Sequence, residues 1–401
     1  MQDCVAITLC LTTSYFVSAA PRTLSDTTND FHRRSSSPTS NIVSRSDKYN
    51  QLSPQNSPFF PDLQIPEDVI TSYAGVDRHA TLTLSRKPLD LSKYPEPWSK
   101  PDIYHPEVQA AIQAIDWDLV PDASIRPVNA LGDIDFDSYD ENEDTDCWWS
   151  ASNCKTPKVN YLPPDIYTCP RKGDWGLTFD DGPFNLRDSD EEDADDENPY
   201  AEPILYDFLK KNHVKSNLFY IGSNVVTYPA AAKRALNDGH YICVHTWSHP
   251  PMTTQTNEEA VAELYWTLRA IKEATGVTPK CWRPPQGDVD DRIRAIAWQM
   301  GMRTVLWDKD TQDWALPAPG GGDLPPSEVN LKFSQWIDEE KYEQTSHGTI
   351  VLQHELNSAT VRMAQKWLPQ IKKVFHVVPA LACNGITQPY WESDFEYPSL
   401  Y

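Results

Sequence analysis

The sequence predicts an α/β fold: a parallel sheet closed as a barrel in the second half of the chain, behind a largely irregular N-terminal extension. Two observations carry that reading. From about residue 147, short apolar runs with strand character (176–179, 216–221, 241–244, 304–307 and 349–352) alternate with helical stretches (200–212, 228–237, 257–275, 290–300, 326–339 and 359–374). That alternation is the texture of βα units and a parallel sheet. Residues able to do chemistry then cluster directly after the apolar runs, and a parallel barrel places its site at the C-terminal ends of its strands.

The first third reads differently. Residues 5–20 are apolar and end in Val17-Ser18-Ala19-Ala20, a small-residue cleavage pattern, so 1–19 is expected to be a signal peptide and the protein secreted, outside the cell or in its wall. Residues 20–146 form a Ser/Pro-rich, acidic extension, disordered at least to about residue 60. One helix is expected near 106–117, with Pro106 in its first turn and Val108, Ala111, Ile112 and Ile115 at helical spacing. The extension either wraps the domain placed at 147–391 or is a propeptide. A short acidic and aromatic tail, 392–401, closes the chain.

The formal charge of −23 over 401 residues argues against nucleic-acid binding. Most of the imbalance sits in two acidic runs, 133–146 and 188–197, each holding eight carboxylates, without which −7 remains. Such runs read as solvated loops, or as attraction for a cationic product or for metal ions. No apolar run beyond the signal is long enough to span a membrane. Six cysteines lie outside the signal: Cys147, Cys154, Cys169, Cys243, Cys281 and Cys383. An even number in an exported chain suggests three disulfides. Fifteen pairings are open and the sequence does not choose among them; the preferred set is Cys147–Cys154, Cys169–Cys383 and Cys243–Cys281.

Five motifs follow in order. They are Thr178-Phe179-Asp180-Asp181-Gly182-Pro183, His245-Thr246-Trp247-Ser248-His249-Pro250, Arg283-Pro284-Pro285-Gln286-Gly287-Asp288, Asp310-Thr311-Gln312-Asp313-Trp314 and Ile350-Val351-Leu352-Gln353-His354-Glu355. His245 and His249, four apart after a strand, can face one point. With Asp181 they make a two-His, one-carboxylate set that suits a divalent transition metal, zinc most simply. Asp180 and Asp181 cannot point the same way, so Asp181 is expected to bind metal and Asp180 to act as general base toward a water acidified by it. Arg283 is a candidate to fix Asp180 through a charge-assisted pair. His354 is the candidate general acid, kept protonated by Asp313. Trp314 would wall a small pocket of about the size of an acetyl methyl, and Glu355 is expected to be a charge in the shell just outside the groups that act.

Together these residues closely resemble the NodB-type polysaccharide deacetylases of carbohydrate esterase family 4, and within that family the fungal chitin deacetylases. The resemblance covers roughly residues 147–391, and the stretches Cys147-Trp148-Trp149, Tyr220-Ile221-Gly222-Ser223-Asn224 and 270–279 have the fungal character. It implies a deformed (β/α) barrel of the NodB-homology type. It implies hydrolysis of N-acetyl groups from N-acetylglucosamine units of chitin or chitin oligomers by a monomeric enzyme, giving chitosan and acetate. By the same resemblance Asp180 is the base and Asp181, His245 and His249 hold the metal, zinc with cobalt as an alternative. Arg283 orients the base, Asp313 tunes the acid His354, and Trp314 and Leu352 line the acetyl pocket. Gln286 stands where the family commonly carries an aromatic residue; its backbone N–H would still help hold the oxyanion, while the ring's wall is missing. The alternatives are deacetylation of another polymer (peptidoglycan or xylan) or a catalytically inactive cell-wall chitin-binding protein.

Overall fold

The computed structural model describes residues 54, 56–61, 63–76, 84–85, 87–130, 132–137, 139–184 and 204–401. The expected signal peptide, most of the 20–60 stretch and the acidic run 188–197 lie outside the described residues.

Nine strands form one curled sheet: β1 (Thr168–Cys169), β2 (Asp174–Asp180), β3 (Asn217–Tyr220), β4 (Tyr241–Val244), β5 (Cys281–Trp282), β6 (Arg303–Thr304), β7 (Lys309–Asp310), β8 (Gly348–Leu352) and β9 (His376–Pro379). The order is β1-β8-β2-β3-β4-β5-β6, with β7 also pairing β8 and β9 also pairing β2. Every pairing is parallel except β1 with β8. A parallel bridge between Ile166 and Val305 ties the chain before β1 to the chain after β6. The barrel is thus deformed, a curled half-barrel whose gap is crossed by irregular backbone. β2 is buried along all seven residues, as expected of a parallel strand covered on both faces.

The described helices are α1 (Pro106–Ala114), α2 (Trp149–Ser152), α3 (Ile204–Lys211), α4 (Gly222–Thr227), α5 (Pro229–Asn237), α6 (Asn257–Thr275), α7 (Asp291–Gln299), α8 (Pro326–Lys341), α9 (Ser358–Ile371) and α10 (Ala380–Cys383). α6 coincides with the expected 257–275. Its start is fixed by a capping box between Thr256 and Glu259, and its end by Gly276 at φ 80°. Several expectations change. The strand expected at 304–307 shortens to β6, which ends at Thr304, with Val305 in a single bridge to Ile166 and with Leu306 and Trp307 outside any strand. β1, β5, β7, β9, α2, α4 and α10 were not expected. α4, Gly-Ser-Asn-Val-Val-Thr, has weak intrinsic helix propensity, and it forms buried against α6.

The described part of the extension packs on this domain. Val69, Ile70, Tyr94, Val108 and Ile115 belong to the same apolar core as the sheet. Ile70 N–H donates to Asn237 Oδ1, Tyr94 Oη to Glu273, and Arg269 pairs with Glu107. Cys147–Cys154, Cys169–Cys383 and Cys243–Cys281 are all bonded, the preferred set.

Candidate metal-centred active site

Strand ends deliver the site. Asp180 closes β2 and Asp181 follows it; His245 follows β4; Arg283 follows β5; Leu352 closes β8, with His354 two residues on. The loops after β2 and β8 are joined directly. Asp180 N–H donates to Gln353 O (2.9 Å) and Glu355 N–H to Asp180 O (3.1 Å). The sheet therefore holds a carboxylate and an imidazole from distant stretches side by side.

Asp181, His245 and His249 converge. Asp181 Oδ1 lies 3.4 Å from Nε2 of each histidine, and the two imidazole centroids are 5.0 Å apart. His245 Nδ1–H donates to Arg283 O (2.7 Å), which leaves Nε2 with its lone pair. Asp181 Oδ1 is buried and accepts no hydrogen bond. An orphaned buried carboxylate oxygen is costly, so this atom needs a cation. Burial alone would raise the Asp181 carboxyl, but the two imidazoles hold it well below the usual carboxylate range. The spacing suits a small ion: a tetrahedron with ligand bonds of about 2.0–2.1 Å has an edge of about 3.4 Å. The donor set therefore fits a zinc-like cation. Among the described residues, the other group with metal-ligating potential, Asp144 with Cys147 and Cys154, is consumed by the disulfide between its sulfurs.

The metal turn is held in an unfavourable backbone conformation. Asp181, Thr246, His249, Gln286 and Gln312 all have left-handed φ, between 56° and 75°. For a β-branched residue such as Thr246 this is a true outlier, and such strain persists only where the surroundings over-determine it. Here Glu263, nearly fully buried on α6, is the restraint. It accepts from Trp247 N–H and Ser248 N–H at 2.8 Å and from Ser248 Oγ at 2.6 Å. Burial pushes its carboxyl up to about 7 despite those bonds. Sequence reasoning missed Glu263; the available signal was a carboxylate on a helix otherwise flanked by apolar residues at 260, 261, 264 and 268.

Arg283 is fully buried and spends its donors on fixed acceptors. Nη1 reaches Asp180 Oδ1 (2.6 Å) and Thr178 Oγ1 (2.9 Å), Nε reaches Val305 O and Nη2 reaches Leu306 O. Its guanidinium also stands 4.0 Å from the Phe219 ring centroid. Asp180 is thereby locked at one oxygen, and its other oxygen lies 3.8 Å from His245 Nε2.

His354 Nδ1–H donates to Asp313 Oδ1 (2.7 Å), and His354 N–H donates to Asp313 Oδ2. Burial would lower this imidazole, but Asp313, helped by Asp181 and Asp180, lifts it to about 9. Trp314 sits beside Asp313 in the turn Asp313–Ala315, and Leu352 is nearly buried at the end of β8. Gln286 is exposed, at φ 58°, and among the described residues its N–H meets no backbone acceptor. Gly287 beside it admits no side chain: an added Cβ would lie 2.2 Å from Trp149, which stacks edge-on against Trp307. Glu355 stands just outside the acting groups, as expected, behind the turn that follows β2. It is buried, accepts from Tyr206 Oη (3.1 Å), and lies where a Cβ on Gly182 would be 1.8 Å away. Burial, with Asp181 and Asp180 nearby, raises its carboxyl well above the usual range.

Comparison with known proteins agrees with this geometry. The polysaccharide deacetylase family matches residues 168–305. A chitin deacetylase of Amylomyces rouxii is 40% identical over 296 residues, covering 73% of this chain and 65% of that protein. Chitin deacetylase 2 of Cryptococcus neoformans var. grubii is 42% identical over 262 residues, covering 65% of this chain and 54% of that protein. The chain thus spans less than two thirds of either relative's length. The solved chitin deacetylase of Colletotrichum lindemuthianum aligns with a TM-score of 0.47 at 24% identity, covering 57% of this chain and 95% of that one.

Proposed function

The chain belongs to the polysaccharide deacetylase family, and from that premise we propose that it hydrolyses N-acetyl groups from N-acetylglucosamine units of chitin, releasing acetate and leaving chitosan. The observation that carries the reading is the orphaned Asp181 Oδ1 facing Nε2 of His245 and His249 at 3.4 Å, beside a locked carboxylate and a charged imidazole. Chitin is favoured among acetylated polymers because both similar relatives bear the name chitin deacetylase.

Asp181 Oδ1, His245 Nε2 and His249 Nε2 would hold a divalent cation, zinc or cobalt. When bound, such a cation supplies the acidification of a water and the polarisation of the amide carbonyl. Asp180 takes the proton of the attacking water at Oδ2, since Arg283 occupies Oδ1 and prevents the carboxylate from turning. His354 gives its Nε2 proton to the departing glucosamine nitrogen, with Asp313 fixing the tautomer and carrying the positive charge's counterpart. The free Gln286 N–H donates to the carbonyl oxygen as it gains charge. Trp314 and Leu352 enclose the acetyl methyl. Three disulfides suit an oxidising compartment, so the protein is read as secreted and acting at or near the cell wall, as a monomer. No helix among the described residues is long and apolar enough to cross a membrane.

The test is acetate release from acetylated chitin oligomers by the purified protein, after chelation and again with zinc. Loss with chelator and recovery with zinc supports the reading. Absence of acetate in both states, with oligomers still bound, would instead support an inactive chitin-binding protein.

A further inference from the structure

The extension carries an exposed aromatic side chain, Trp98, in a backbone position that disfavours it, on a turn hydrogen-bonded through Ser223 to the loop that follows β4. Glu96-Pro97-Trp98-Ser99 is a tight turn closed by Ser99 N–H donating to Glu96 O (3.1 Å), with Pro97 at its second position and Trp98 at φ 66° at its third. Those features define a type II turn, whose third position calls for glycine or asparagine. A bulky residue there is strained. Burial does not repay the strain, since Trp98 is 51% exposed.

The turn is pinned to the metal loop. Trp98 N–H donates to Ser223 Oγ (2.8 Å), and Ser223 Oγ–H donates to Trp247 O (2.6 Å). Trp247 Nε1–H donates back to Glu96 O (3.4 Å). Trp247 lies midway between His245 and His249, and Ser223 lies just past the C-terminal end of β3, on the face where the strands deliver the site. A glycine at 98 would keep every one of these bonds, because they use only its N–H, and would remove the strain. What tryptophan adds is an exposed indole on a rigid mount. Strain held next to a functional site points to a role for the strained residue.

We propose that Trp98 is a platform for a pyranose ring of the polymer, binding a sugar unit outside the one that reacts; this rests on the polysaccharide reading above. A pyranose presents an apolar C–H face that an exposed indole can cover, and rigid aromatic anchors supply such contact at low entropic cost.

The experiment compares the wild type with Trp98→Gly and Trp98→Phe, measuring acetate release from chitin oligomers of two to six units and thermal unfolding. Trp98→Gly is expected to unfold near the wild-type temperature, the strain relieved offsetting the loss of the covered half of the indole. Its KM is expected to rise about tenfold for the long oligomers, the loss typical of a truncated aromatic anchor. For N-acetylglucosamine itself, assayed alongside and lacking any unit outside the one that reacts, KM should hardly change, and kcat should stay within about twofold throughout. Trp98→Phe should recover most of the long-oligomer affinity. Equal KM ratios across all lengths in Trp98→Gly, with wild-type activity normal, would overturn the platform and leave the deacetylase reading intact. A wild type that releases no acetate from any length would overturn the reading on which the platform rests.

Discussion

At the scale of single residues, the groups proposed as acid and base are separated by environment. Asp180 is tied to a buried guanidinium, while His354 is tied to a buried carboxylate. The His354 imidazole is lifted to about 9 from an ordinary 6.5. A raised imidazole stabilises the fold fully below 6.5, and that contribution fades as pH rises through about 9. Activity needs the same protonated form, so its alkaline limb falls in the same window. Asp181 supplies part of the lift, and a cation bound there cancels that part; the limb of the loaded enzyme lies below 9. Asp313→Asn removes the largest favourable contribution. Its alkaline limb should move down by about one pH unit or more, since a unit corresponds to about 1.4 kcal/mol of charge interaction, and a pH profile of kcat/KM measures it. A limb at the wild-type position would show that Asp313 does not charge His354. Asp180→Asn keeps the shape but cannot accept the proton, and a loss of about 10²–10⁴ in kcat is expected, with circular dichroism unchanged.

At the scale of elements, the metal turn is shaped by α6 rather than by its own sequence. Glu263 holds two amides and a hydroxyl of the turn while Thr246 and His249 remain left-handed. Gln at 263 keeps one carbonyl acceptor and replaces the other oxygen with a donor. The turn should loosen, and zinc affinity should fall about 10- to 100-fold, the usual effect of losing a partner one step removed from the ligands. Competition with a chromogenic chelator reads this without reference to turnover, and an unchanged affinity would mean the turn holds itself. This element also marks the limit of legibility. The residues proposed as metal ligands, base, acid and orienting arginine stand out in the sequence because they fall in short motifs, most of them just after an apolar strand. Glu263 was not, because α6 is buried nearly all round and gives no polar face against which a functional carboxylate stands out. α4 and β9 were hidden for a related reason: one is made of weak helix formers and the other is four residues ending in proline, so packing alone decides them. The burial of Glu355 was hidden because only the fold brings Tyr206 and Gly182 against it.

At the scale of the whole molecule, the open alternative for residues 61–146 was a wrapping segment or a removable propeptide, and the packing favours the first. Five side chains of the extension (Val69, Ile70, Tyr94, Val108 and Ile115) are buried in the common core. At roughly 1.5–3 kcal/mol for each buried side chain, their loss is comparable to the 5–15 kcal/mol that holds a typical domain together. Ion pairs cross the same seam, Lys233 with Asp68 and Arg269 with Glu107, and would be lost with the extension. A chain beginning at residue 147 should therefore fail to unfold cooperatively or be recovered only as aggregate, whereas one beginning at residue 56 should unfold like the full chain. Thermal denaturation of the two decides it. A 147–401 chain with a sharp transition near the full-length temperature would mean that the seam contributes little and that the extension is dispensable after folding. If that same chain also kept the full-length dependence of KM on oligomer length, the platform at Trp98 would fall with it, because the residue would be gone and its effect would remain.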